Sequence, residues 1–558
     1  MVSSDKWVVQ LVIDQCVAHG VKHIVFSPGS RNAPFAIAAS KHDSIETYVI
    51  HDERSAGFFG IGLSEKTEAP VALCCTSGSA PANYLPAITE AYYRNIPLIV
   101  ISADRPNAWI NQGDGQTIQQ LGLFKEFVRY SCHLEDGNLT PTTQWQYQRE
   151  TALLFSKATG MNRGPVHLNV GLSEPLYREA EKTSNLSRTI HFPINRSVDE
   201  ASLQPVQQAI EGKKTMVICG QMPPNPKLQS VLATFSERND VVILVENTSN
   251  LQSERFNACI DRSLASLPVS TLEAFQPEIL ISIGGAVVSK KIKDFLRTTP
   301  LEIHIKVGFD FPEMDTYQQL SHSFLCDPID FFSQLNESAP LKSQSNFFGK
   351  WKQLDYKGKD LLAEFTQETE HFTDFEVYQI LMRTLEEGTT LHMGNSSVVR
   401  YCQLFDPIHQ CNYFANRGTS GIDGSLSTAL GYASKDEGLN VIIVGDISFL
   451  YDSAALQIQT TQSNVKILLI NNHGGGIFRI IPGPRESDQL ERYFEAQHGH
   501  TGAFAAQLGW EYSAVSTAKA FADALPTFLA SDLRSILEIQ TEREVNPKIL
   551  NDFFTFIK

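Results

Sequence analysis

At 558 residues the chain is longer than one hydrophobic core supports, and its 42% apolar and 19% charged content exclude disorder over any long stretch. A formal net charge of −16 excludes broad binding to nucleic acid or an anionic membrane, because a phosphate polymer meets a repulsive average field. Nine cysteines lack CxxC pairs and regular spacing, which fits free thiols in a reducing compartment and no zinc site.

The opening MVSSDKWVVQLVIDQC has no basic region followed by an apolar one. Polar residues interrupt its apolar ones at helical spacing, so it predicts a first amphipathic helix rather than a signal peptide. Apolar runs such as Ile96 to Ser102 are too short to span a bilayer. The expectation is a cytoplasmic protein without membrane insertion. Short β-branched runs then alternate with helical stretches: VKHIVF from Val21, PVALCC from Pro70, PLIVISA from Pro97 and VHLNV from Val166. That alternation predicts strand–helix units and a mostly parallel sheet.

A polar stretch from about Arg178 to Glu200 reads as a linker. A second block follows, with strands predicted at TMVICG, VVILVEN, EILISIGG and LEIHIKVG, ending near the polar NESAPLKSQSN from Asn336. The third block opens with a long polar helix. A capping box at Thr373 and Glu376 comes next, then strands at TTLHMG, NVIIVGD and KILLINN. The fold class expected is three consecutive open, mostly parallel α/β domains, over 1–185, 195–340 and 355–558.

In open parallel sheets ligands bind beyond the carboxyl ends of the strands, and the residues there are unusual for plain turns. Gly445-Asp446 ends one strand and Asn471-Asn472 ends another, with 25 residues between Asp446 and Asn472. A strand–helix–strand unit brings both ends to one rim of the sheet. A carboxylate, an amide oxygen and a carbonyl from the following glycine-rich turn are hard oxygen ligands suited to Mg²⁺, which completes its shell with phosphate oxygens and water. Either dipeptide alone would be an ordinary turn.

Other strand ends carry His51-Asp52-Glu53-Arg54 before the small, apolar FFGIGLS, and Ser27-Pro28-Gly29-Ser30-Arg31-Asn32 after HIVF. Ala103-Asp104-Arg105-Pro106 follows LIVIS, with Gln116 downstream. In the third block stand Asn395-Ser396-Ser397-Val398-Val399-Arg400 and Asn416-Arg417-Gly418-Thr419-Ser420-Gly421-Ile422-Asp423-Gly424. Taken singly, Glu53 reads as favourable charge at a helix start. Each arginine reads equally as a partner for a surface acid, and Ile422 as a core plug.

Taken in order, SPGSRNAPF, HDERSAGFFGIGLS, ADRP, NSSVVR, NRGTSGIDG, GDISFLYD and NNHGGGIF resemble one branch of the thiamine-diphosphate enzymes, the 2-succinyl-5-enolpyruvyl-6-hydroxy-3-cyclohexene-1-carboxylate synthases of menaquinone biosynthesis. The likeness covers the first and third blocks nearly end to end and is weaker in the middle. Ile447, where the general thiamine-diphosphate motif has glycine, matches this branch's own form of it.

The resemblance implies decarboxylation of 2-oxoglutarate and 1,4-addition of the product carbanion to isochorismate, both small anionic substrates. It implies Mg²⁺, or Mn²⁺ in its place, held by Asp446, Asn472 and the carbonyl of Gly474. It implies thiamine diphosphate lined by Gly445, Ile447, Ser448 and Ser420, activated by Glu53 and bent by Ile422. The substrate pocket would use Ser30, Arg31, Arg105, Gln116, Ser396, Arg400, Arg417 and Lys290, with Lys291 as alternative to Lys290, and Ile477 and Phe478 as an apolar wall. It also implies a homodimer or dimer of dimers. Rival readings are another thiamine-diphosphate decarboxylase or carboligase, a non-catalytic regulatory subunit, and a nucleotide-binding dehydrogenase, although no GxGxxG opens a helix after the early strands.

Overall fold

The computed structural model describes residues 2–137, 139–183, 186–193, 196–337, 345–367, 369–459, 463–481 and 483–558. Three six-stranded sheets form, each wholly parallel. This is the three-domain α/β architecture expected. The boundaries predicted at 185, 195 and 340 lie outside the described residues.

By compactness the chain divides into two units. The first comprises residues 1–194, 416–437 and 451–462; the second comprises 195–415, 438–450 and 463–558.

In the first unit the sheet runs Glu46–Val49, His23–Phe26, Val71–Cys75, Leu98–Asp104, Val166–Gly171, Ser131–Glu135. The central strands are apolar on both faces because helices cover both, which is why they read as continuous apolar runs. The chain start differs from expectation: Val2–Ser4 is a strand, and the helix begins only at Trp7. Within the stretch read as a linker, Glu179–Glu181 pairs antiparallel with that strand. Neither piece has an apolar run to announce it; backbone pairing alone defines them.

Within the same unit, helix Glu53–Thr67 packs on helix Ser425–Ala433 with no room for side chains between them. A Cβ on Gly62 would lie 1.8 Å from the Thr428 carbonyl oxygen, and one on Gly431 would lie 2.0 Å from that of Phe59. The small residues of FFGIGLS are therefore the contact surface itself.

The second unit holds two sheets. One runs Phe256–Asn257, Val241–Val245, Thr215–Cys219, Ile279–Ile283, Ile303–Val307, His322–Phe324. The other runs Asn412–Phe414, Thr390–Met393, Asn440–Gly445, Val465–Asn471, Ser535–Gln540, Glu511–Val515. Numbered along their own sequence, the strands of this last sheet follow the order 2-1-3-4-6-5, as do those of the first unit's sheet, whereas the middle sheet follows 3-2-1-4-5-6.

The long polar helix is Phe347–Glu364, and Phe347, Trp351 and Leu354 bury it in the core of the middle sheet. Position 355 thus falls inside a helix of the middle layer rather than at the opening of the third block. The far end of the helix turns to the third sheet, where Leu361 and Leu362 pack against the core, so the one helix serves both layers and its partners are decided by tertiary packing.

Candidate active site

Order reversal in a parallel sheet opens a crevice where two neighbouring strands send their connections to opposite faces. In the third sheet this point lies between Thr390–Met393 and Asn440–Gly445, the strands followed by Asn395-Ser396 and by Asp446. Asp446 opens the helix Asp446–Tyr451 and is 4% exposed. Its Oδ1 accepts from the Ile447 nitrogen at 2.8 Å and its Oδ2 from the Gly474 nitrogen at 2.9 Å. The glycine-rich turn after the next strand is thus tied to the Asp446 carboxylate. His498 Nε2 also lies 3.2 Å from Oδ2.

Asn472 stands just past its strand and is 6% exposed. Its Nδ2 donates to Asp374 Oδ2 at 3.1 Å, while its Oδ1 is buried with no hydrogen-bond partner. Gly474 has φ +153°, and a Cβ there would lie 2.9 Å from the Glu495 carbonyl oxygen, so only glycine fits. At Gly445 a Cβ would meet nothing within 4 Å, which leaves open space over the turn. Ser448 is buried and Ile447 half-buried beside it.

Elsewhere in this unit Ser396 takes φ +71° and ψ −123° at the start of helix Ser397–Cys402. The Arg400 guanidinium reaches back one turn to donate to the Ser396 carbonyl. Burial lowers the pKa of Arg400, opposed by the charges of Asp261 and Glu246. The two lysines separate clearly. Lys290 is exposed at a helix start, while the Lys291 ammonium sits 3.7 Å over the Phe554 ring and burial lowers its pKa. Ile477 and Phe478 are half-buried in the short helix Ile477–Ile480.

In the first unit Glu53 is the first residue of its helix, which Asp52 caps by accepting from the Ser55 nitrogen at 3.0 Å. Glu53 Oε2 accepts from Asn83 Nδ2 at 3.4 Å, and burial raises its pKa. Beyond the neighbouring strand ends, Gly29 lies so close to Thr76 that a Cβ would fall 2.3 Å from that residue's own. This contact sets the loop bearing exposed Ser30 and buried Arg31.

Arg31 Nη1 donates to the Leu172 carbonyl at 3.0 Å and lies 3.3 Å from Glu174 Oε1. Its pKa is lowered by burial and then by the charge of Arg105. Arg105 Nη1 pairs with Asp114 at 3.0 Å and its Nε donates to the Gly115 carbonyl at 3.0 Å; exposed Gln116 follows with φ +56°. Both arginines thus have surface acids as partners, and the charge of Arg105 also bears on Arg31.

Arg417, Ser420 and Ile422 share the loop before helix Ser425–Ala433. Arg417 is buried, Ser420 has φ +61° and is exposed, and the Ile422 side chain is 37% exposed instead of plugging a core.

The family described as thiamine pyrophosphate enzyme, N-terminal TPP binding domain, matches residues 6–123. A protein of Porphyromonas gingivalis named 2-succinyl-5-enolpyruvyl-6-hydroxy-3-cyclohexene-1-carboxylate synthase is 36% identical over 99% of this chain and 98% of its own length. Proteins of the same name from Christiangramia forsetii and Flavobacterium psychrophilum are 38% and 37% identical, over 99% and 98% of this chain and 99% and 98% of their own lengths. The chain belongs to the 2-succinyl-5-enolpyruvyl-6-hydroxy-3-cyclohexene-1-carboxylate synthase family. Like that family, it is a thiamine-diphosphate-dependent enzyme acting on small molecules.

The side chains of the second unit fit a divalent cation. A buried amide oxygen without a partner is costly, and Asn472 Oδ1 is such an oxygen on the rim that carries Asp446. The hard oxygens offered there are the Asp446 carboxylate, the Asn472 amide and the carbonyls of the glycine-rich turn. Among the described residues no group of three or more His, Cys, Asp and Glu side chains is arranged to hold a metal. All nine cysteines are free and buried. Among the described residues no helix is long and apolar enough to cross a membrane.

The family match decides against the dehydrogenase alternative, although the middle sheet has the strand order 3-2-1-4-5-6 that dinucleotide-binding sheets share.

Two buried acids escaped the sequence reading. Glu90, 1% exposed, accepts from the Gly418 nitrogen at 2.9 Å, the Thr419 nitrogen at 2.7 Å and the Thr419 hydroxyl at 2.9 Å, and so clamps the loop bearing Arg417 and Ile422. Asp374, 3% exposed, backs Asn472. Glu90 lies in a helix and Asp374 beside a cap, where an acid draws no notice; no local signal marks either.

Proposed function

We infer that the chain decarboxylates 2-oxoglutarate on thiamine diphosphate and joins the succinyl unit to isochorismate by 1,4-addition, yielding 2-succinyl-5-enolpyruvyl-6-hydroxy-3-cyclohexene-1-carboxylate for menaquinone biosynthesis. The observation that carries this conclusion is the match to proteins named for that product over nearly the whole chain. Bound thiamine diphosphate supplies the electron sink that loss of carbon dioxide from a 2-oxo acid requires.

Asp446, Asn472 and the Gly474 carbonyl would hold Mg²⁺, with Mn²⁺ as the alternative; the unpartnered Asn472 Oδ1 supports this. Open space over Gly445 supports close approach of a diphosphate, with Ile447 and Ser448 beside it. Glu53 holds and releases a proton at its carboxyl, whose pKa partial burial raises. Ser420 and the exposed Ile422 would meet the cofactor.

Both substrates are multiply anionic, and arginines fix a carboxylate bidentately, so they set which end of a diacid faces the reacting centre. Arg31, whose charge is disfavoured by burial and then by Arg105, gains most from such an anion. By likeness to the family, Ser30, Gln116, Ser396, Arg400, Arg417 and the exposed Lys290 would serve the polar groups of the substrates, and half-buried Ile477 and Phe478 would offer them an apolar surface. We further propose assembly as a homodimer or dimer of dimers, and a cytoplasmic location.

The test is to supply Mg²⁺, thiamine diphosphate, 2-oxoglutarate and isochorismate and identify the product by mass. Release of carbon dioxide from pyruvate in preference to 2-oxoglutarate, with no adduct formed, would overturn the assignment. Loss of the adduct in Asp446→Ala supports the metal site.

A further inference from the structure

A metal-binding asparagine must present oxygen, not nitrogen, to its cation, yet the two ends of the amide are nearly the same shape. Something outside the ligand set has to choose the orientation. Strand Ser535–Gln540 lies beside strand Val465–Asn471 in register, so Thr541 and Asn472 leave the sheet side by side, and helix Asp374–Thr384 begins against them.

There the hydrogen bonds run one way. Asn546 Nδ2 donates to Thr541 Oγ1 at 3.2 Å, and the Thr541 hydroxyl donates to Asp374 Oδ1 at 2.6 Å. Asn472 Nδ2 donates to Asp374 Oδ2 at 3.1 Å. Asn546 Oδ1 takes the Asp374 nitrogen at 2.7 Å. Both Asp374 oxygens accept, Oδ1 from the Thr541 hydroxyl and Oδ2 from the Asn472 NH₂, so Asn472 Oδ1 is left turned the other way, buried and without a partner. Were an amide to stand at 374, it would offer a donor. Asn472 could then turn its oxygen inward and point NH₂ where a cation belongs.

We propose that Asp374 is a positioning residue for the metal site: its carboxylate locks the Asn472 amide with the oxygen facing the ion. This inference rests on the assignment of Asp446 and Asn472 as ligands and goes beyond it by naming the group that sets their competence. It concerns cation affinity, and the residue itself touches neither substrate nor reacting atoms.

The experiment measures thiamine diphosphate binding to the full-length enzyme by calorimetry over a series of Mg²⁺ concentrations, so no turnover is needed. Outer-shell partners of metal ligands typically contribute about 10–100-fold in metal affinity. D374N is expected to raise the Mg²⁺ concentration for half-saturation by that factor, while T541V, which loosens the same network without touching the Asp374–Asn472 contact, lowers the melting temperature but leaves the Mg²⁺ requirement unchanged. A merely structural role would give both variants the same small effect on Mg²⁺, and that outcome overturns the proposal.

D446N separates the two levels of inference. If it abolishes Mg²⁺-dependent binding while D374N binds as the parent does, the positioning role falls and the site stands. If D446N also binds normally, both fall. Should D374N not fold, the swapped pair N472D/D374N, which keeps one carboxylate facing one amide, decides. It is expected to bind Mg²⁺ with thiamine diphosphate at least roughly tenfold more tightly than N472D alone, and equal affinity overturns the proposal.

Discussion

Gly62→Ala is a substitution on which helix propensity and tertiary packing disagree in sign. Alanine in a helix interior is better than glycine by about 1 kcal/mol, so on local grounds the change stabilises. In the structure the new methyl would lie 1.8 Å from the Thr428 carbonyl oxygen and 2.7 Å from the Tyr432 nitrogen, both backbone atoms of the facing helix. Ordinary contact is about 3.5 Å, so the two helices must part by roughly 1.5 Å along their shared face. Backbone has no rotamer to turn, which puts the cost at the upper end of overpacking, about 3 kcal/mol.

The net expectation is destabilisation by about 2 kcal/mol, a fall of roughly 4–8 °C in the melting of a unit of about 200 residues. Thermal unfolding followed by circular dichroism without cofactor measures it. Gly60→Ala serves as control, because its methyl meets Leu73 Cδ2 at 2.6 Å, the end of a side chain that can turn aside; it should lose less than half as much. A Gly62→Ala protein melting at or above the parent would refute the packing argument.

Glu90→Gln weakens the clamp on the loop bearing Arg417 and Ile422; with charge-assisted bonds at about 1.5–3 kcal/mol, thiamine diphosphate affinity should fall about tenfold or more, and calorimetric titration reads the change. Burial lifts the Asp452 carboxyl from 3.8 to about 6 despite its bonds to the Ser427 nitrogen and hydroxyl. Its folded pKa is thus above the unfolded one, so its contribution to stability is fully present below about pH 4 and lost as pH rises through about 6. Urea midpoints should therefore show Asp452→Asn gaining on the parent by roughly 2–3 kcal/mol between pH 4 and 7, and parallel profiles would contradict this. Arg31→Gln should raise KM for at least one dicarboxylate by about tenfold, the size of one lost charge-assisted bond, with calorimetric thiamine diphosphate affinity unchanged.

Much of the fold was legible because buried parallel strands write themselves as apolar runs, and their ends stand out where glycine, asparagine and acids follow abruptly. Leu98–Asp104, Asn440–Gly445 and Val465–Asn471 all lie where such runs predict them. Ser535–Gln540 has no such signature, although it is a buried interior strand of the third sheet. Its SILEIQ carries a glutamate, and that residue is buried only because the Asn471 amide, the Gly502 nitrogen and the Tyr512 hydroxyl all donate to it. A polar residue satisfied from distant parts of the chain looks, in one dimension, like a break in a strand.

The amino-acid order by itself determined the alternation of strands and helices, the sites of the tight turns and the kinds of ligand atom offered there, because each depends on neighbours within a few residues. Tertiary structure decided which way the Asn472 amide faces, which acid clamps the Arg417 loop, that Lys291 is spent on the Phe554 ring while Lys290 is exposed, and that the helix around Trp351 serves the middle sheet. Those outcomes are set by burial and by hydrogen-bond partners about 50 to several hundred positions away, where the cost of an unmet polar group is fixed only once the chain has closed around it.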